Sequence, residues 1–589
     1  MFPKASCRSA IDAARNAAEE FGDSSRVVSG GLAELARCSE NASERDCKRV
    51  LVHKYQLALP VERSVLGVAD NPSLKFPILK MESWIQFMLR NSCWHILCGL
   101  VRRDKQREKD ILTNFWSKYR KVCPTHDVFR LAAEGHLKLE KTAPILLHGD
   151  EGRGRKHSAY LVVSFRSILG RGIQAGETQK RIRKVKKPYL KQLCNYKGHS
   201  FTSRFMISGM RKCDYSGENA EVFSALMSSC AEQAQSLARN GIVDSEGERH
   251  WCMLIGITGD WPWLHKSGGF TRSFHNAQKR KNQQVAHGIC HECKAGQHGV
   301  PFEQVGTKRP VWVGTRFTED PFWEPSPFRI VPHSPSKLPA LWVWDFFHCW
   351  HLGIAKRFIG SALVLLSMAE PGTSVDERFS SLSDRYIAWC SSNNHRCHIQ
   401  KISKECIAWP TSRNFPCGIW HKGELTTVLM NFLESTFIER SFPGEPLLEL
   451  VRQATIAINS AIRIMYRADL WLTISESCAV AGNGLRFLRR YEVLARQSMD
   501  RNLNLFEFAP KIHPLQKIFL QLHWGSEQNI EQLNPLSVSV QQCEDFIGRP
   551  SRLSRRVASG QITTERVLDR YLMACYPQWI AAGFLIRPG

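Results

Sequence analysis

The stretch Pro144-Ile-Leu-Leu-His-Gly-Asp150-Glu-Gly-Arg-Gly-Arg-Lys-His-Ser-Ala-Tyr160-Leu-Val-Val-Ser-Phe165 decides how the chain is read. An apolar run leads into an acid and a glycine-rich turn, and a second apolar run leaves that turn. Each run has strand length and a strand's share of branched and aromatic residues. The spacing predicts a hairpin that turns at Gly152 and Gly154 and sets Asp150 at the end of its first strand.

Three further elements follow. Phe201–Met210 reads as a third strand. Ala220–Asn240 reads as a helix ended by Gly241. Trp251–Thr258 reads as a fourth strand that stops at Gly259-Asp260. Aspartates at the ends of the first and fourth strands are candidate ligands for divalent ions. Phosphodiester chemistry uses two Mg²⁺ ions about 3.5–4 Å apart, held by a few hard carboxylate oxygens. A capping or turn aspartate is the bland alternative for each. A third acid is expected near the end of the domain. Glu544, in Gln541-Gln-Cys-Glu-Asp-Phe-Ile-Gly548, is the candidate, with Asp545 its rival.

Composition narrows the class. Eighty Lys and Arg against 55 Asp and Glu leave a net charge of +25. That excess favours a polyanionic partner, with nucleic acid the default. Lys180, Arg181, Arg183, Lys184, Lys186 and Lys187 crowd one short segment. It reads either as a solvated loop or as a phosphate-contacting or nuclear-import segment. The opening MFPKASCRSAIDAARNAAEEF lacks an apolar signal core. The longest apolar stretch, Ile354–Met368, carries Lys356 and Arg357 and is expected not to span a bilayer. The 20 cysteines are therefore expected to be reduced.

Cys290-His-Glu-Cys293 is a C-x₂-C pair, and His348 and His351 lie three apart in Trp344-Asp345-Phe-Phe-His348-Cys-Trp-His351. Two thiolates and two imidazoles suit a tetrahedral structural Zn²⁺ site. His287, His291 and His298 compete as ligands.

These motifs together resemble eukaryotic cut-and-paste DNA transposases of the DDE, RNase H-like superfamily, nearest to the CACTA and hAT-like groups. In such families a C-x₂-C pair and a D-x₂-H motif follow the second catalytic aspartate, here matched by Cys290/Cys293 and Asp345/His348. Pro510-Lys-Ile-His-Pro-Leu515 is similar to the element that precedes the catalytic glutamate. The resemblance implies Asp150, Asp260 and Glu544 as a triad binding Mg²⁺ or Mn²⁺. It makes Asp345 and His348 signature residues outside that triad. It also implies DNA as partner, a homo-oligomer if active, no membrane, and a nuclear location. The chain departs from the pattern in its Gly-Asp-Glu-Gly-Arg-Gly-Arg turn and in lacking an N-terminal zinc finger. A decayed or host-adopted copy is therefore an open alternative.

The fold expected is α/β: an RNase H-like mixed-sheet core with a large, mainly helical insertion and a helical N-terminal region. The expected divisions are a poorly ordered or helical leader over 1–80, a helical domain over 81–140, and the first part of the core over 141–285. A zinc-binding segment over 286–355, a helical insertion over 356–510 and completion of the core over 511–589 follow.

Two other functions compete. One is a non-catalytic nucleic-acid-binding protein that keeps the fold. The other is a P-loop-like NTPase, because Gly149 to Gly154 has the G-x₄-G spacing. There Lys156 falls one position late, and Tyr160–Phe165 reads as a strand where a phosphate loop needs a helix.

Overall fold

The computed structural model describes residues 7–21, 35–39, 41, 43–68, 71–170, 198–277, 287–557, 560 and 562–586. The basic segment Lys180–Lys187 lies outside them. The chain is a mixed α/β protein, mainly helical, around one five-stranded sheet.

A short antiparallel hairpin comes first, β1 (Ser64–Val68) with β2 (Asn71–Ile78). It stands within the stretch expected to be a poorly ordered or helical leader. The main sheet comprises β3 (Thr142–Arg153), β4 (Ala159–Ser167), β5 (Phe205–Arg211), β6 (Ile242–Val243) and β7 (Arg249–Thr258). Its order is β5-β4-β3-β7-β6. β3, β4 and β5 pair antiparallel, whereas β3 and β7 run parallel. The crossover from β5 to β7 runs through the helix Ala220–Arg239, which packs on β7. Beyond β7, Trp342 bridges Ile257 in parallel, and the Val343 N–H donates to Ile257 O at 2.9 Å.

β3 is buried at every position from Thr142 to Gly149 and alternates only from Asp150 onward. A continuous apolar run of this kind marks a strand covered on both faces. On one face of the sheet the helix Gln541–Ser554 packs on β3, and the helix Ile562–Ala581, which follows it, packs on β5. Trp84, Phe205, Tyr571 and Trp579 pack together there, with Trp84 and Phe205 ring centroids 5.3 Å apart. The Trp84 and Trp579 indoles donate to the carbonyls of Met206 and Phe201, so both large rings are buried without a stranded N–H.

The helical domain expected over 81–140 opens with two helices, Met81–Arg90 and Lys105–Val122. Ser92 and Gly99 between them take positive φ, which ends helical progression. Residues 355–500 hold five helices: Ala355–Met368, Val375–Ser392, Gly423–Glu439, Pro446–Arg467 and Ile474–Asp500. Their starts follow local rules. Ser374/Glu377 and Thr473/Glu476 form capping boxes, and Pro446 opens its helix. The helical stretch Phe347–Met368 is long and apolar enough to cross a membrane, longer than the charged pair at 356–357 suggested, yet most of it is packed inside the protein. A helix apolar on nearly all sides is equally what a buried core position selects.

Candidate functional site

Asp150 and Asp260 lie near enough to sense each other's charge because β3 and β7 are parallel neighbours that end at different heights. Their pairing stops at His148↔Thr258. β3 continues past that point paired only with β4, with Asp150 opposite Val162. Asp150 therefore lies within the strand rather than at its end, but just past the end of its parallel neighbour. Asp260 follows Thr258 by two residues and caps the helix Trp261–Gly268 by accepting the Trp263 N–H at 2.8 Å. Gly149 and Gly259 stand against the Trp263 indole so closely that neither has room for a Cβ. That contact lets the two backbones converge.

The turn of the hairpin is not made by the glycines. Gly154 N donates to Ser158 O at 2.7 Å, and Lys156 and His157 supply the positive φ values. Gly152 serves a different need. A Cβ there would fall 2.9 Å from the Ile547 Cγ2 methyl and against the Ser551 hydroxyl, on the helix Gln541–Ser554. The glycine admits the helix that carries Glu544. The Gly149–Gly154 segment is thus strand leading through the three-residue turn Arg155–His157 into the next strand, with no α-helix N-terminus to receive a phosphate.

That helix turns Glu544 toward the two aspartates and Asp545 away from them. Asp545 accepts from Ser200 Oγ and from Arg549 Nε, both at 2.8 Å. Glu544 lies within hydrogen-bonding reach of Asp150. Its Oε1 is buried without a hydrogen-bond partner, 3.7 Å from His348 Nε2.

Burial pushes the Asp150 carboxyl well above the usual range, and the nearby Asp260 and Glu544 add to this. Burial also raises Asp260, against the Trp263 N–H and the His348 charge. It raises Glu544, which His348 partly offsets. Three acids that each resist ionisation in one another's company form a site short of positive charge. Among the described residues they do not close around a single point as Cys290, Cys293 and His513 do. Oxygen-only donors and an orphaned buried oxygen fit Mg²⁺ or Mn²⁺.

Two cationic side chains stand beside the acids: Lys511, which was not anticipated as a site residue, and His348, which was expected to bind Zn²⁺ instead. Lys511 is largely buried, which holds its ammonium below the usual range, and it senses Asp260 and Asp345. Its Nζ donates to Leu352 O at 3.3 Å. His348 is raised despite burial because Asp345 Oδ2 accepts from its Nδ1 at 2.7 Å.

The four residues expected to bind Zn²⁺ do not come together. Cys290 and Cys293 are both fully buried and are joined by His513, with Cys293 Sγ 3.4 Å from His513 Nε2. His348 instead serves Asp345 and faces Glu544. His351 packs against the Phe346 and Phe347 rings. The residues sit on a turn that kinks at Gly353, whose φ/ψ leaves the helical region. The competing histidines are not part of this cluster either. His291 Nε2 lies 2.8 Å from Trp342 O. Lys517 Nζ stands 3.4 Å from Cys290 Sγ and 2.8 Å from Glu292. Burial alone raises the Cys290 thiol, but the Cys293 hydrogen bond and the Lys517 and His513 charges outweigh it and hold Cys290 well below its ordinary value. Burial and the charge of Cys290 raise Cys293. Two sulfurs and one imidazole fit a Zn²⁺ ion.

His513 and Lys511 lie in the Pro510–Leu515 segment noted in the sequence. Their roles were hidden because a lone histidine, 220 residues from its cysteine partner, carries no spacing signal. No family model matches the chain, and no curated protein matches it.

Proposed function

We propose that this chain is a transposase-like DNA-processing protein with an RNase H-like core, hydrolysing and transferring phosphodiester bonds through divalent ions held by Asp150, Asp260 and Glu544. The observation that carries it is the convergence of three acids from three separate elements, one ending in a buried oxygen without a partner. The strand order β5-β4-β3-β7, antiparallel through β3 and parallel at β7, supports the same fold reading. So does the parallel bridge of Trp342 beyond β7.

When bound, two Mg²⁺ or Mn²⁺ ions supply a nucleophile at neutral pH and charge stabilisation for the leaving oxygen. The protein's own part is positional. β3 and β7 hold two carboxylates side by side, and the docked helix brings the third. His348 and Lys511 stand at the edge of the site, where their charge favours the ionised acids. The Cys290–Cys293–His513 cluster would hold a structural Zn²⁺ that ties the 290s loop to the helix Ile512–Glu527, one residue after Lys511. The net charge of +25 supports DNA as partner, with affinity falling steeply as salt rises. A nuclear location and a homo-oligomeric active form belong to the same proposal.

The test is Mn²⁺-dependent nicking of plasmid DNA by the full chain. Nicking should disappear in Asp150→Asn, Asp260→Asn and Glu544→Gln while DNA retention on a filter is kept. DNA binding without cleavage in any divalent metal would instead identify a non-catalytic nucleic-acid-binding module.

A further inference from the structure

The entry into the Glu544 helix, residues 537–542, is gripped by three charged side chains buried in the core. Arg166 on β4 donates to Ser537 O at 2.8 Å, and Arg204 donates to Gln542 Oε1 at 2.7 Å. The third is Asp345, 2% exposed. Its Oδ1 accepts from Phe347 N at 3.0 Å and from Val540 N at 3.1 Å. Its Oδ2 accepts from His348 N at 2.9 Å and from His348 Nδ1 at 2.7 Å. Four donors on one carboxylate are what a buried anion needs to be tolerated.

Those donors lead to Glu544 by two routes. Val540 is the residue on which the Glu544 helix begins. His348, fixed at Nδ1, presents Nε2 to Glu544 Oε1 at 3.7 Å. Asp345 and Val540 are 195 residues apart with a helical block between them, so chain connectivity cannot set their spacing. A direct bond can.

We propose that Asp345 is the positioning residue for Glu544. It fixes the Glu544 backbone through Val540 and the Glu544 side chain through His348, and so sets the affinity for the divalent ion that Glu544 holds. This rests on the two-ion reading of the site. Asparagine at 345 keeps the shape but offers one acceptor oxygen. Since each carboxylate oxygen serves two donors, an amide in either orientation abandons one pair. One orientation frees the helix entry and the other frees His348.

The test titrates Mn²⁺ into the full chain by electron paramagnetic resonance and measures DNA nicking at saturating metal. Asp345→Asn should weaken Mn²⁺ binding about tenfold or more and lower kcat, with KM for DNA unchanged. His348→Asn leaves the Asp345 backbone bonds in place and should weaken Mn²⁺ binding with an unchanged melting temperature. It decides the matter if Asp345→Asn does not fold. Wild-type protein that binds Mn²⁺, with His348→Asn and any folded Asp345→Asn matching it in affinity and kcat, would overturn the positioning role. Wild-type protein that binds no Mn²⁺ would overturn the two-ion reading itself, and the positioning role with it.

Discussion

Gly152 on β3 and Ser551 on the helix Gln541–Ser554 approach so closely that no side chain fits between them. The helix bearing Glu544 therefore lies directly on the backbone of the strand bearing Asp150. The third acid is docked against the first by packing rather than reached by a loop.

Replacing Gly152 should disturb that docking specifically. Gly152→Ala forces the Ser551 hydroxyl and the Ile547 methyl to move, an overpacking of about 1–3 kcal/mol. Nicking activity should fall further than stability alone accounts for, because Glu544 moves with Ile547 and Ser551. Gly217→Ala, at an open site with φ of 66°, should destabilise without that added loss of activity. Urea midpoints alongside nicking rates separate the two.

The carboxylate cluster should trade stability for metal binding. With metal removed, Asp150→Asn or Glu544→Gln relieves like-charge repulsion. Each should raise stability near neutral pH, because burial first and the neighbouring acids second disfavour the ionised carboxyl. Mn²⁺ should raise the melting temperature of the wild type and leave those variants nearly unmoved. Differential scanning fluorimetry with and without Mn²⁺ reads both effects. A variant that melts lower without metal would contradict the repulsion.

Zinc should follow Cys290, Cys293 and His513. Atomic absorption on the purified full chain should find one Zn²⁺, lost in Cys290→Ser and in His513→Ala. His351→Ala should keep it, and so should His348→Asn. A strong chelator should lower the melting temperature of the wild type. Zinc retained in His513→Ala but lost in His351→Ala would restore the ligand set expected from sequence.

His126 gives a pH signature away from the site. Burial is the main cause that lowers it to about 4, and His333 adds to this against Asp127. Its Nδ1 accepts the Val128 N–H and caps the helix Asp127–Ala133 as a neutral ring. The folded value lies below the unfolded value of about 6.5. Its contribution is therefore complete above pH 6.5 and is lost as pH falls toward 4, by up to about 1.4 kcal/mol per pH unit. His126→Asn keeps a capping acceptor and should flatten this part of the curve of urea midpoint against pH.

The strands and the two aspartates were legible because β3 and β7 are buried on both faces and so spell themselves as unbroken apolar runs. Glu544 was legible only as one of two adjacent acids. Choosing between Glu544 and Asp545 needs the helix's rotation, which Ser200 and Gly152 set from elsewhere in the chain. The glycines of the Asp150 stretch misled for a related reason. Their number suggested a turn, but Lys156 and His157 make the turn, while Gly152 answers to a helix beginning at Gln541. The zinc ligands failed on sequence distance. His348 and His351 have ligand spacing but different neighbours, and His513 has the right neighbours without the spacing.

The most direct test of the account is the number of divalent ions the carboxylates hold. Mn²⁺ titrated into the full chain should give two bound ions per chain whose electron spins couple, as ions about 3.5–4 Å apart do. Glu544→Gln should bind at most one and lose the coupling. Absence of bound Mn²⁺, or two coupled ions retained in Glu544→Gln, would contradict it.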